Sequence, residues 1–314
     1  MNFLNKNFKE ITKILLNKLG FEIKRKVPEL TFANYKSLDK ANDHNYFERF
    51  REIISDPLNL LINRVPQSGF LDENNKVFLH NGISVDVNGK FSYYDNFSEI
   101  LILNRGVHEP LEEYCFQQML EEISSEKNKA PTMLELGSYW AHYSMWLKLK
   151  IPKANCFMVE PDPIRIKSGE KNFSDNSFEG TFINQFVSEE SFKVDKFMID
   201  YDFKTLDILH SDIQGYEKEM LLGSSNSLLE NKIKYIFIST HSEELHKQCI
   251  EIISKFNYRI EVSSGHETQT TSCDGLIFAS NKTIKPVFNS FHPLGRLDIL
   301  NSSPARLIKF ISEV

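Results

Sequence analysis

An α/β fold built on a doubly wound, mostly parallel sheet is predicted by the second half of this 314-residue chain. Three observations carry the prediction. From residue 132 onward, apolar runs of strand length alternate with segments of helix length, the pattern of βαβ units rather than of hairpins. The last two runs, 258–264 and 275–280, follow one another without a helix between them and read as a closing pair. Acidic residues, Glu135 and Glu160, end the first two runs one crossover apart, and in such sheets ligands gather beyond the carboxyl ends of the strands.

Bulk properties narrow the class. With 41% hydrophobic and 25% charged residues, the chain can bury a sizeable core as an ordinary globular protein. A net charge of −6 gives no global attraction to nucleic acid, and none is expected as a partner. Cys115, Cys156, Cys249 and Cys273 show no C-x-x-C spacing, so neither a zinc knuckle nor a redox pair is expected. No apolar run approaches the ~18 residues that span a bilayer, and lysines interrupt the N-terminal apolar residues, unlike a secretory leader. The expected location is the cytoplasm.

The elements follow in order. In residues 1–20, Leu4, Phe8, Ile11, Leu15 and Leu19 recur at helical spacing, predicting an amphipathic helix that Gly20 stops. Its lysine excess suits a solvated face packed on the body, or weak peripheral contact with an anionic membrane. Residues 56–65 read as a helix starting at Asp56. Residues 77–87 and 90–95 read as strands, with turns at Asn81-Gly82 and Asn88-Gly89. Residues 1–105 thus form an accessory α+β extension. A helix over 108–123 places Leu111, Tyr114, Cys115, Met119 and Ile123 on one face. Its acids, Glu109, Glu112 and Glu113, read as a polar helix start, the other reading being that they line an acceptor pocket. The polar linker 124–131 then leads into the sheet. Strands are expected at 132–136, 154–160, 181–188, 205–212 and 234–240, with helices at 143–150, 164–172, 216–223 and 242–256 between most of them. The sheet domain is expected to span 106–290, with a tail over 291–314.

The strand ends carry the chemistry. Gly137, after Glu135, lets backbone approach a ligand closely. Glu160 can accept hydrogen bonds from ribose hydroxyls. A nicotinamide dinucleotide shares that second acid but wants G-x-G-x-x-G for its pyrophosphate. Here the loop holds one glycine with Tyr139 and Trp140 beside it. A cofactor lacking phosphate fits better, which points to S-adenosylmethionine. Asp212 ends the fourth strand beside His210 and Gln214, and His241 follows the fifth.

The stretch MLELGSYWAHYS, residues 133–144, resembles the first motif of the FkbM-type methyltransferases, acid-x-Gly-Ala-Asn-x-Gly-x-x-Ser. MVEPDP resembles their second motif, DILHSDIQGYEKEML their fourth-strand motif, and KYIFISTH and DGLIFAS their later strands. The resemblance covers roughly residues 130–280. It implies a class I methyltransferase fold, a Rossmann-like doubly wound sheet of seven strands with an antiparallel last strand. It implies S-adenosylmethionine as donor and a hydroxyl of a sugar, glycan precursor or related metabolite as acceptor. Carried over by motif, Glu135, Gly137, Ser138, Tyr139 and Ser144 would touch the methionine part of the donor. Glu160 would hold the ribose, Val187 and Ser188 would lie near the adenine, and Asp212 would face the methionine end and the acceptor. The chain departs at Ala141, where a second glycine is usual, at His210 for the usual lysine and at Gln214 for the usual glutamate.

Methyl transfer is an in-line displacement in which orientation can supply about 10⁵–10⁸ M of effective concentration, against about 10²–10⁴-fold from a general base. His210 or His241 is the candidate base, since neutral imidazole is available near pH 7, with Asp212 orienting it or the acceptor. Asp212, His241 and Asp274 could also hold a divalent metal, a less favoured reading. Ala141 and Gln214 leave open a catalytically silent relative that binds the donor and acts as a scaffold. A nicotinamide-dependent dehydrogenase is the third reading.

Overall fold

A computed structural model describes residues 46–93, 95–126, 130–188, 190–267 and 269–314. The chain divides into two units, Met1–Asn42 and Asp43–Val314. The basic helix expected over residues 1–20 lies outside the described residues.

The second unit opens with helix α1 (Tyr46–Ser55) and a hairpin of β1 (Lys76–Phe78) and β2 (Ser84–Asp86). Gly82 makes the hairpin turn with φ +94°, a conformation that favours glycine. Helices α2 (Glu99–Leu103) and α3 (Pro110–Ser125) lead to the sheet. Its strands are β3 (Thr132–Leu136), β4 (Asn155–Val159), β5 (Thr181–Ile183), β6 (Leu206–Ser211), β7 (Ile233–Thr240), β8 (Tyr258–Ser264) and β9 (Gly275–Asn281). Between them run α4 (His142–Lys150), α5 (Arg165–Asp175), α6 (Val194–Asp200), α7 (Glu217–Leu222), α8 (Ser225–Leu229) and α9 (Glu243–Ile253). Helices α10 (Arg296–Leu300) and α11 (Pro304–Glu313) form the tail.

The sheet order is β5-β4-β3-β6-β7-β9-β8. Strands β5, β4, β3, β6 and β7 are parallel, and β9 runs antiparallel to both β7 and β8. The order reverses at β3, so the crevice between the ends of β3 and β6 is the switch point where ligands bind in such sheets. This is the class I arrangement, with the antiparallel strand β9 inserted between β7 and β8.

Both faces of the sheet are covered. Successive side chains of a strand point to opposite faces. On β3, Met133 enters one core while Leu134 and Leu136 enter the other. On β7, Phe237 and Ile236 divide in the same way. The first core takes in Ile53, Leu79, Ile100, Val107 and Phe116. Residues 46–105 and the sheet therefore share one hydrophobic interior, with no break in it at residue 105.

Three local expectations are corrected. Residues 56–65 make only a single 3₁₀ turn, Pro57–Leu60, capped by Asp56, whose carboxylate accepts from the Leu58 N–H at 2.9 Å. The described residues of 90–95 form turns and the start of a 3₁₀ turn rather than a strand. The third parallel strand ends at Ile183; beyond it Val187 makes only an isolated bridge to Phe192. No described helix is long and apolar enough to cross a membrane.

Candidate active site at the strand ends

A cavity of about 890 Å³ opens at the carboxyl ends of β3, β4, β6 and β7. Its lining includes Glu135, Gly137, Ser138, Tyr139, Glu160 and Val187 from the expected donor set, and His210, Asp212 and His241 from the expected reacting centre. Ser144 and Ser188 do not line it. The Ser144 N–H donates to Glu135 Oε2 at 3.1 Å, so this residue holds the acid rather than the cavity. Ser188 Oγ accepts from the N–H groups of Glu190 and Ser191.

Gly137 is required by the turn. Its φ is +70°, and a Cβ there would lie 1.7 Å from the Asp212 carbonyl oxygen. The loop is tied down by the N–H groups of Gly137 and Ser138, which donate to the Val159 carbonyl at 2.8 and 3.1 Å. Ala141, in place of the usual glycine, also takes a left-handed conformation, φ 60° and ψ 42°, and so keeps the loop path at the expense of strain.

The loop aromatics fold back instead of filling the cavity. Trp140 is buried in the first core and stacks on the His142 ring at 4.8 Å. The Tyr139 hydroxyl donates to the Ser92 carbonyl at 3.0 Å, and the Arg165 guanidinium lies 5.1 Å from the Tyr139 ring centre. The expected crowding of a pyrophosphate by these rings is therefore weaker than their size suggested.

Glu160 accepts from the N–H groups of Tyr139 at 3.2 Å and Asp162 at 2.9 Å. Burial pushes its carboxyl above the usual range, and burial does the same to Glu135. Burial likewise raises Glu109, although His108 beside it pulls the other way.

His210 lies at the floor. Its Nε2 is 2.6 Å from Glu112 Oε1, and the Ser239 hydroxyl donates to the other oxygen of Glu112 at 3.1 Å. Burial works against the charged ring, yet the bond to Glu112 and the nearby Glu112, Glu135 and Asp212 charges raise its pKa overall. His241 sits 2.9 Å from Glu217, 3.2 Å from Asp212 and 3.4 Å from Asp274. Burial again opposes the charge, but these carboxylates lift its pKa to about 11. The His241 ring is held as a cation at neutral pH, and the bond to Glu112 shifts His210 in the same direction, so the expectation of a neutral imidazole base does not fit these pairings. Burial raises Asp212, but the bond to His241 and its charge outweigh that and lower its pKa. Asp274 goes the other way. Burial and the negative charges of Asp212, Glu109 and Glu112 drive it well up, His241 only partly offsetting them.

The acids of α3 are not a solvated helix start. Glu112 and Glu113 are buried, and Glu109 lines the cavity. The sequence reading also passed over His108 and His142, which line the cavity floor. His108 lies 2.6 Å from Glu113 and 3.4 Å from Glu109, and these carboxylates raise it to about 10 against the opposing effect of burial. Only the three-dimensional convergence of α3, α4 and β6 reveals such partners.

Among solved structures, the chain resembles WbdD at 12% identity, covering 56% of this chain and 41% of WbdD, with a TM-score of 0.41. It also resembles a precorrin-6y C5,15-methyltransferase from Geobacter metallireducens at 14% identity, covering 54% and 89%, with a TM-score of 0.40. A third is M. capricolum TrmK in complex with S-adenosyl-homocysteine, at 15% identity, covering 62% and 81%, with a TM-score of 0.36. The chain thus spans about two fifths of the length of WbdD. No curated protein sequence matches it. The methyltransferase FkbM domain matches residues 41–260, well over half of the chain, so the protein belongs to the FkbM methyltransferase family, whose methyl donor is S-adenosylmethionine.

Proposed function

We propose that this methyltransferase transfers the methyl group of S-adenosylmethionine to a hydroxyl oxygen of a sugar, glycan precursor or related polyhydroxylated metabolite. The observation that carries the reading is the charge of the cavity. Glu109, Glu135, Glu160 and Asp274 border one space, and burial raises each of them, with repulsion from neighbouring carboxylates adding to it at Glu109 and Asp274. Such a set accepts positive charge readily, because a cation restores the ionised forms that burial disfavours. The donor is a sulfonium with an ammonium group, so the residues present fit it. Bound there, it would supply an already activated methyl group. Glu160 would hold the ribose hydroxyls, and Glu135, Gly137, Ser138 and Tyr139 the methionine part. Val187, which lines the cavity, would lie near the adenine, and Ser144 would act by holding Glu135.

The acceptor side is built from Asp212, His241 and Asp274. Asp212 is the ionised member and receives the acceptor's proton in this proposal; His241 is a positioning residue that fixes the Asp212 carboxylate. The Gln214 amide nitrogen donates to the Asp212 carboxylate at 2.9 Å and braces it. His210 balances Glu112 below. Carboxylates beside Tyr93, Phe97 and Tyr143 on the wall suit a sugar, whose hydroxyls need acceptors and whose apolar faces lie well on rings.

The test is transfer of labelled methyl from S-adenosylmethionine to a panel of sugars, nucleotide sugars and glycan fragments, read by mass. Methylation of a hydroxyl that falls sharply in D212N supports the reading. Methylation confined to nitrogen or carbon acceptors contradicts it. Donor binding without turnover on any acceptor favours the silent scaffold.

A further inference from the structure

Three elements meet below the cavity floor at Glu113. His80 stands in the β1–β2 connection, Glu113 in the first turns of α3, and His142 at the start of α4. Their exposures are 1%, 0% and 1%. Glu113 Oε1 is fully engaged: it accepts from the N–H groups of His108 at 2.8 Å and Glu109 at 3.2 Å, and His108 Nδ1 lies 2.6 Å away. Its other oxygen, Oε2, makes no hydrogen bond.

His80 Nε2 lies 3.2 Å from that oxygen but also makes no hydrogen bond. The tautomer explains the mismatch. His80 Nδ1 is 3.2 Å from the Asn63 carbonyl oxygen, which can only accept. Nδ1 therefore carries the hydrogen, and the Nε2 of the neutral ring presents a lone pair to a carboxylate oxygen. Both ring nitrogens of His142 are buried without a hydrogen-bond partner. One possible ligand atom from each of the three residues falls within 4.8 Å of the other two. Buried polar atoms are normally satisfied; here each of three side chains leaves a polar atom without a hydrogen-bond partner, and the three lie close together.

We propose that His80, Glu113 and His142 bind a divalent transition-metal ion, zinc in the first instance. Two imidazoles and one carboxylate form a nitrogen-rich set that suits zinc and its neighbours. Magnesium and calcium prefer all-oxygen sites. The Asn63 carbonyl fixes the His80 ring from behind, the outer contact that metal-bound imidazoles use. The ion would join the hairpin, α3 and α4 at one point. It would also fix the floor of the cavity, because His142 stacks on Trp140 and both rings border that space.

The inference does not depend on the methyl acceptor. The full chain, purified without chelator, is measured for metal by mass spectrometry, then stripped and titrated with Co(II), whose visible spectrum reports nitrogen and oxygen ligation. The expected result is one tightly held ion per chain and an intense visible band. Both should be lost in E113Q and H142A and retained in D274N. Should E113Q and H142A fail to fold, D274N decides: a cobalt band kept in that variant supports the site, and a band lost in it overturns the proposal. A metal-free wild-type protein with no cobalt band overturns the proposal, and would mean that ordered water satisfies these atoms. Metal retained in H142A but lost in D274N also overturns it, by placing the ion at Asp212, His241 and Asp274.

Discussion

Replacing Glu112 with Gln tests the electrostatics of the cavity floor. Glu112 pairs with His210 at 2.6 Å, and both side chains are buried. Removing one partner of a buried ion pair costs about 3–5 kcal/mol when the other charge is left behind. His210 can shed its proton, so the loss should fall toward the lower end, still a large part of a typical domain's stability of about 5–15 kcal/mol. The pH dependence separates this from a packing defect. In the wild type the His210 pKa is raised, so its contribution is full below the unfolded value of about 6.5 and fades as pH rises through the folded value. In E112Q burial pulls the folded value down, and the variant loses further stability as pH falls below about 6.5. The penalty should therefore be larger near pH 6 than near pH 9. Urea unfolding at the two pH values measures it. A cost below about 1 kcal/mol at both, or one that grows with pH, would refute the reasoning.

Other expectations follow from the same geometry. G137A should abolish donor binding and lower stability, because the new Cβ would meet the Asp212 carbonyl oxygen at 1.7 Å and force β3 and β6 apart; calorimetric titration and thermal unfolding read both effects. Donor affinity should increase as pH rises above the usual carboxylate range of about 4, since Asp274 and Glu109 carry raised values and must ionise to receive a cation. Titration in buffers of different ionisation enthalpy should show net proton release. Stability contributed by the His241 pairings should be full below about 6.5 and lost as pH rises through about 11. H241Q should therefore cost more at pH 7 than above 11, as unfolding at the two values would show.

What was legible in the sequence is what local pattern encodes. Strands such as Thr132–Leu136 and Ile233–Thr240 are largely apolar, as a strand buried on both faces reads. The acids Glu135 and Glu160 stand out because the topology assigns a place to residues at strand ends. Residues 56–65 and 90–95 misled the reading because their apolar residues answer to tertiary packing: Leu58 and Ile62 are buried by the rest of the fold, and Tyr93 packs against the same core. The pairing of Glu112 with His210 joins residues 98 apart in the chain, which no periodicity reports. The same holds for the folding back of Trp140, and it is why the loop's bulk excluded a pyrophosphate less firmly than its composition suggested.

The central claim is that the strand-end cavity is the donor site. The most direct measurement is calorimetric titration of S-adenosylmethionine into the wild-type protein and into E160A. A carboxylate holding hydroxyls contributes about 1.5–3 kcal/mol, so E160A should weaken binding by about 10- to 150-fold while remaining folded. Saturable wild-type binding with one site per chain and that loss in E160A is the predicted result. Equal affinity in the two proteins, or no binding to the folded wild type, would contradict the account.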